Sequence, residues 1–175
     1  MTGVSGYPSN LEGWGRIRID DPLFFVGDSR TLGVLDDISN ADGLGTGEVI
    51  TYNVNVNGPG QDLRITAVWT DVAATAGTAF ASINDLDLEV TSPGGVLFRG
   101  NVFSGGFSSS GGTRDDRNNV EQVHINNPAS GAWTVRIRAA AVNSGTQGYS
   151  LIASGDIQLA PPDCNANGIP DETDI

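Results

Sequence analysis

The sequence contains no lysine, and only one cysteine, one histidine and one methionine. The lone Cys164 excludes an internal disulfide framework. With one thiol and one imidazole, a CxxC-type zinc site or a thiol–histidine metal cluster is excluded as well. No apolar run of about 18 residues occurs, so no segment reads as a membrane-spanning helix. The first residues lack the basic flank and apolar block of a signal peptide, and we expect further sequence upstream of Met1. Positive charge is scarce: nine Arg against 21 Asp and Glu give a formal net charge of −12. Such a balance repels phosphate backbones and argues against a nucleic-acid partner.

What the sequence does have is enough apolar residues for a core. The 175 residues suit one domain, 38% of them are hydrophobic, and only 17% are charged, too few for a disordered acidic polymer. Apolar residues alternate with polar ones, as strands require. The alternation runs over Arg16–Ile19, Ile50–Val56, Leu63–Trp69, Ile83–Val90, Val123–Ile125, Trp133–Ala139 and Tyr149–Ala153. Ser92-Pro93-Gly94-Gly95 marks a turn, with Val96-Leu97-Phe98 starting the return strand. Residues 36–47, 72–82 and 104–119 read as loops. No segment has helical periodicity. These features predict an all-β fold, an antiparallel jelly-roll sandwich of about eight strands. We expect three parts: residues 1–25 as a stub of a preceding domain, 26–159 as the sandwich, and 160–175 as a proline linker and tail. Trp69 and Trp133 fall on the apolar phase and are expected in the core.

Two acidic constellations stand out. In the tail, Asp163, Asn165 and Asn167 occupy positions one, three and five of a calcium-loop template, with Gly168 at the sharp turn. Ile169 would offer its carbonyl, and Asp171 and Asp174 fall at positions nine and twelve. The shorter Asp174 replaces the usual Glu there. The alternative is a polar tail without a ligand. In the sandwich, Asp85, Asp87 and Glu89 share one face of a strand whose other face carries Leu86, Leu88 and Val90. Asn101 follows the return strand, and Asp115, Asp116, Asn118, Asn119 and Glu121 gather before the next. If these groups meet, they supply the oxygen ligands that calcium prefers. Otherwise they form a solvated face, with Arg114 and Arg117 as counter-charges.

Catalysis finds little support. No Gly-x-Ser-x-Gly elbow is present, and His124, between Val123 and Ile125, is expected on the outer face of its strand. Asp85 and Asp87 imitate a glycosidase pair only in residue type, because no aromatic-lined cleft surrounds them in the sequence.

An ordered series of short segments resembles the C-terminal part of secreted subtilisin-like serine proteases, the subtilases. It runs through Glu12-Gly13-Trp14-Gly15-Arg16-Ile17, Val68-Trp69-Thr70-Asp71, Asn84-Asp85-Leu86-Asp87-Leu88 and Thr91-Ser92-Pro93-Gly94-Gly95. It continues through Arg99-Gly100-Asn101, Arg117-Asn118-Asn119-Val120-Glu121, Gly131-Ala132-Trp133-Thr134-Val135 and Gln147-Gly148-Tyr149-Ser150-Leu151. The resemblance implies a P-domain-like jelly roll that follows a catalytic domain and binds calcium. The implied ligands are Asp85, Asp87 and Asp115, with Asn101, Asn118, Asn119 and Glu121 as weaker candidates. No His-Gly-Thr or Gly-Thr-Ser-Met segment of the family's catalytic machinery is present, so a non-catalytic module is expected. The tail resembles the calcium loops of dockerin and thrombospondin-type repeats. The resulting expectation is a secreted, calcium-binding accessory domain that stabilises a protease or helps it engage a protein substrate. The alternative is an extracellular module that binds polysaccharide or a matrix protein.

Overall fold

A computed structural model describes residues 13–14, 25 and 27–159. The expected strand at Arg16–Ile19 and the whole tail constellation, from Asp163 to Asp174, lie outside the described residues.

The alternating segments do become strands. In chain order these are β1 (Thr31–Ile38), β2 (Val49–Val56), β3 (Leu63–Val68), β4 (Asn84–Thr91) and β5 (Leu97–Ser104). They are followed by β6 (Phe107–Ser110), β7 (Val120–Ile125), β8 (Gly131–Val142), β9 (Tyr149–Gly155) and β10 (Ile157–Leu159). A four-stranded sheet, β1-β9-β3-β7, packs on a six-stranded one, β10-β2-β8-β4-β5-β6. All named strand pairings are antiparallel. Setting aside the short β6 and β10, each successive strand crosses to the other sheet, except at the β4–β5 hairpin. That wrapping is a jelly roll.

The core forms between the sheets from one phase of each strand. Leu63, Ile65 and Ala67 of β3 face Leu86, Leu88 and Val90 of β4 and Val135, Ile137 and Ala139 of β8, all buried. Trp69 and Trp133 are buried as expected. The Trp133 indole N–H donates to the Ala129 carbonyl at 2.9 Å, which satisfies its one polar atom. Its ring lies 6.2 Å from that of Phe98.

Three strands depart from the sequence expectation. β1 occupies residues 31–38, partly inside the loop expected from residue 36. Its register shifts between Val34 and Asp36, so a bulge interrupts the alternation that would reveal it. The bulge sends Val34 outward and turns Asp36 toward the interior, where the Tyr52 hydroxyl donates to Asp36 Oδ2 at 2.5 Å and meets the Tyr149 hydroxyl. This cluster links the two sheets. β6 lies inside the expected loop 104–119; its sequence, Phe-Ser-Ser-Ser, has no apolar phase. β10 follows the last expected strand and is only three residues long.

At one end of the sandwich a polar plug replaces apolar packing. Asn84 and Gln147 are fully buried, yet every side-chain bond is made. The Asn84 amide donates to Ser144 O and Gln147 Oε1, and its carbonyl accepts from the backbones of Asn143 and Ser144. Gln147 donates to the carbonyls of Thr70 and Gly148. The plug therefore fixes the β8–β9 connection to the start of β4. Leaving such buried partners unpaired costs about 1–3 kcal/mol each. Asn84→Ala should accordingly lower unfolding free energy by about 3 kcal/mol in urea titrations. A change under about 1 kcal/mol would mean that water replaces the plug.

Candidate metal centre

The acids of β4 face away from the core, as expected, but they do not face open solvent. Asp87 is 1% exposed and Glu89 8%. The chain between β6 and β7 covers them and brings in Arg114, whose Nη2 donates to Glu89 Oε1 at 2.5 Å.

The site arises because two strands part company. β5 pairs with β4 only from Thr91–Leu97 to Glu89–Arg99. Beyond Arg99 it leaves the ladder, and the next N–H of β4, that of Leu88, has no strand to donate to. Glu121, on β7 of the opposite sheet, accepts that N–H through Oε2 at 2.6 Å. Gly100 makes room for it: a Cβ there would collide with the Glu121 carboxylate and with its Cβ. Asn101 follows in the left-handed region, at φ 60°. Its amide donates to Asp115 Oδ2 at 2.6 Å and to Val120 O at 2.8 Å, while its oxygen accepts from Gln122 N at 3.1 Å. A non-glycine residue in this conformation is held there by surrounding bonds.

Several carboxylate oxygens are left over. Asp85 Oδ1, both oxygens of Asp87 and Glu121 Oε1 are buried and accept no hydrogen bond. Arg114 Nε lies 3.1 Å from Asp87 Oδ2, yet its one N–H is directed to Glu89 Oε1, also at 3.1 Å. Asp87 thus feels the positive charge without receiving a bond.

The electrostatics reflect this. Burial pushes Glu121 up to about 9, with further repulsion from Asp87, Asp115 and Asp85, against the opposing Leu88 N–H. Burial likewise pushes Asp85 up to about 6, and Asp87, Asp116 and Asp115 add to it. Asp87 is raised because burial, with repulsion from Glu89, outweighs Arg114, Arg138 and Arg99. Asp115 behaves oppositely. Burial acts on it too, but bonds from the Asn101 and Asn118 amides and from the N–H groups of Arg117 and Asn118 hold it below the usual value.

The sequence candidates therefore separate. Asp85, Asp87 and Glu121 carry the orphaned oxygens. Asp115 interacts with them electrostatically, but Asn101 and Asn118 brace its carboxylate. The Asn119 amide turns away, to Trp69 O at 3.0 Å. Of the two expected counter-charges only Arg114 reaches the acidic row; Arg117 pairs with exposed Asp116 and lies over the Phe80 ring at 4.1 Å. Gly100 was not among the sequence candidates for the site, and Glu89 was read as part of the acidic row but not among the implied ligands. Glu89 shares the face of Asp85 and Asp87, which is legible in the alternation, but its commitment to Arg114 is not.

All the free donors are oxygen, which suits a hard cation such as calcium rather than zinc. Among the described residues no three Asp, Glu, His or Cys side chains already stand in a metal-holding arrangement. A cation would have to draw these carboxylates together.

His124 proves half-buried rather than a plain surface residue. Its Nε2 accepts from Arg64 Nε at 3.3 Å and lies 3.2 Å from Asp62 Oδ2, beside the Phe107 ring. Ser108 Oγ accepts the His124 backbone N–H, not a bond from the imidazole, so these residues do not form a nucleophile–base pair. Among the described residues the exposed large aromatics are Trp14, Phe25 and Phe80, none of them on a strand.

No family model matches the chain. It is similar to a Dictyostelium discoideum protein described as serine protease/ABC transporter B family protein tagA. The two are 28% identical over 146 residues, covering 81% of this chain and 8% of that protein. The chain thus corresponds to a small part of a large, multi-part relative. No helix among the described residues is long and apolar enough to cross a membrane.

Two outcomes follow. Gly100→Ala should cost about 2 kcal/mol of stability by forcing the Glu121 carboxylate from its seat; a neutral result would show that the seat is not confined. Burial holds the His124 imidazole below its usual 6.5, with Arg64 acting the same way and Asp62 opposing. The unfolded chain then takes up the proton more readily. The His124 contribution to stability should fall as pH drops through the ordinary imidazole range and level off below the depressed folded value, against the opposite trend from Asp85 and Glu121. His124→Gln should flatten that slope in urea titrations between about pH 5 and 7.5, and an unchanged slope would assign it to other groups.

Proposed function

We propose that the chain is a calcium-binding, non-catalytic domain of a larger, secreted subtilisin-like protease, which it stabilises or helps to engage protein substrates. The observation that carries this reading is the set of buried, unbonded oxygens on Asp85, Asp87 and Glu121. The distant likeness to a serine protease-containing protein supports the protease context. The ordered subtilase-like segments support the more specific family.

In this reading Asp85, Asp87 and Glu121 ligate the ion, with Asp115 beside them and the Asn101 and Asn118 amides fixing its orientation. Bound calcium supplies the positive charge that offsets the mutual repulsion of these acids. The residues in turn tie three elements to one point: β4 through Asp85 and Asp87, β7 through Glu121, and the β6–β7 connection through Asp115. A ligand that binds only the folded chain raises its stability, by about 2.7 kcal/mol at one hundred times the dissociation constant. Extracellular calcium modules commonly have dissociation constants of about 0.1–1 mM, matched to their surroundings. The tail, through Asp163, Asn165, Asn167, Ile169, Asp171 and Asp174, supplies a second loop for calcium.

Thermal unfolding in EDTA and in millimolar calcium tests the barrel site. The Tm should rise with calcium. Asp85→Asn should raise the Tm in EDTA, because it removes a buried, repelled charge, and should shrink the calcium-dependent rise. Identical melting of the native chain in both buffers would overturn the barrel site. Calorimetric titration separates the two loops: Asp163→Ala combined with Asp171→Ala should remove one bound ion and keep the thermal response.

A further inference from the structure

One cation already sits across the acidic row, and it belongs to the protein. Arg114 spans two carboxylates: its Nε and Nη2 both donate to Glu89 Oε1, at 3.1 and 2.5 Å, while Nε lies 3.1 Å from Asp87 Oδ2. The two contacts are unequal. Glu89 receives the hydrogen bonds and Asp87 receives only the charge, leaving both Asp87 oxygens unbonded. Two further arginines lie near the row and act on Asp87 by charge. Arg99 Nη1 donates to Gly112 O at 2.7 Å, and its Nε is 3.8 Å from Glu89. Arg138 sits opposite Asp87 in the β4–β8 ladder. Arg114 comes from the connection between β6 and β7, the same segment that carries Asp115.

We propose that Arg114 is a built-in competitor for the cation at this site, shared between Asp87 and Glu89 when the site is empty and carried by Glu89 alone when Asp87 ligates. This rests on the calcium reading above and adds to it what sets the affinity. A calcium ion near Asp87 meets a guanidinium nitrogen 3.1 Å from the same carboxylate, and two cations cannot share it without repulsion. Arg114 must withdraw. Withdrawal is cheap, because the hydrogen bonds to Glu89 survive it and only a through-space attraction is lost. Its side chain is 39% exposed, so it can swing from Asp87 toward solvent while still bonded to Glu89. The design keeps the acidic row from being wholly unneutralised in the absence of metal, and shifts filling of the site to higher calcium.

The test is calorimetric titration of the full, EDTA-stripped chain with calcium chloride, for the native protein, Arg114→Gln and Arg114→Lys. Arg114→Gln should tighten the dissociation constant about two- to fivefold at unchanged stoichiometry, the scale of one lost, partly exposed ion pair. Arg114→Lys should fall between, because an ammonium cannot fork onto Glu89 in the same way. It also carries the test if the glutamine variant does not fold, which a melt in EDTA reports. Native binding with equal or weaker binding by the variants would overturn the competitor role and leave the calcium site standing; weaker binding would make Arg114 a residue that positions Asp87. No binding by any of the three would overturn the calcium reading and this inference with it. Binding by a variant but not by the native chain would support both.

Discussion

Where β5 leaves β4, the Leu88 N–H loses its strand partner and a buried carboxylate from the other sheet accepts it. The rest of that side of the sandwich is arranged around this bond. Beyond it, the backbone N–H groups of Gln122 and His124 on β7 go to side chains of Asn101 and Ser108 instead of to a strand. The seam between the two sheets is therefore sewn by side chains. A backbone ladder needs no charge, but a carboxylate used as an acceptor brings one into the interior, where desolvation costs several kcal/mol unless a proton or cation offsets it. The acidity of the site follows from the way the sheets are joined.

The two polar regions of the interior make a useful contrast. Asn84 and Gln147 are neutral, and each of their side-chain atoms finds a partner within the protein. Such a cluster is complete and specifies one geometry. Around Glu121 several acceptors are left without a donor. Asn101 and Asn118 serve Asp115, Arg114 serves Glu89, and nothing bonds the oxygens that remain on Asp85, Asp87 and Glu121. Apart from Arg99 Nε, the incompleteness among the described residues falls on carboxylates that lie on different strands and repel one another. A structural cluster has no reason to retain that combination, whereas a site completed by something from outside does.

The strands with uninterrupted alternation, from Ile50 to Val56, Leu63 to Trp69 and Ile83 to Val90, were legible because burial on one face imposes period two directly on the sequence. β1 was not, since its bulge changes phase at Leu35, and β6 was not, since a strand of serines on an edge buries too little to leave a mark. At the site, spacing along β4 placed Asp85, Asp87 and Glu89 on one face. It could not show that the β6–β7 connection folds over that face and buries it, because such coverage depends on contacts remote in sequence. The divergence of Asn119 from Asn118, adjacent in the chain and turned to different partners, is likewise set by tertiary contacts.

The bulge in β1 has a consequence for the molecule in a crowd. β1 forms one margin of the four-stranded sheet among the described residues, and an eight-residue margin strand is a template for uncontrolled strand addition. Val34 stands 62% exposed on it, which would make a regular strand adhesive. The phase change one residue later twists the backbone out of register with any incoming straight strand, and Asp37 then presents a charge on the outward side. The irregularity that hid this strand from its own sequence also protects the folded chain from sheet-to-sheet aggregation.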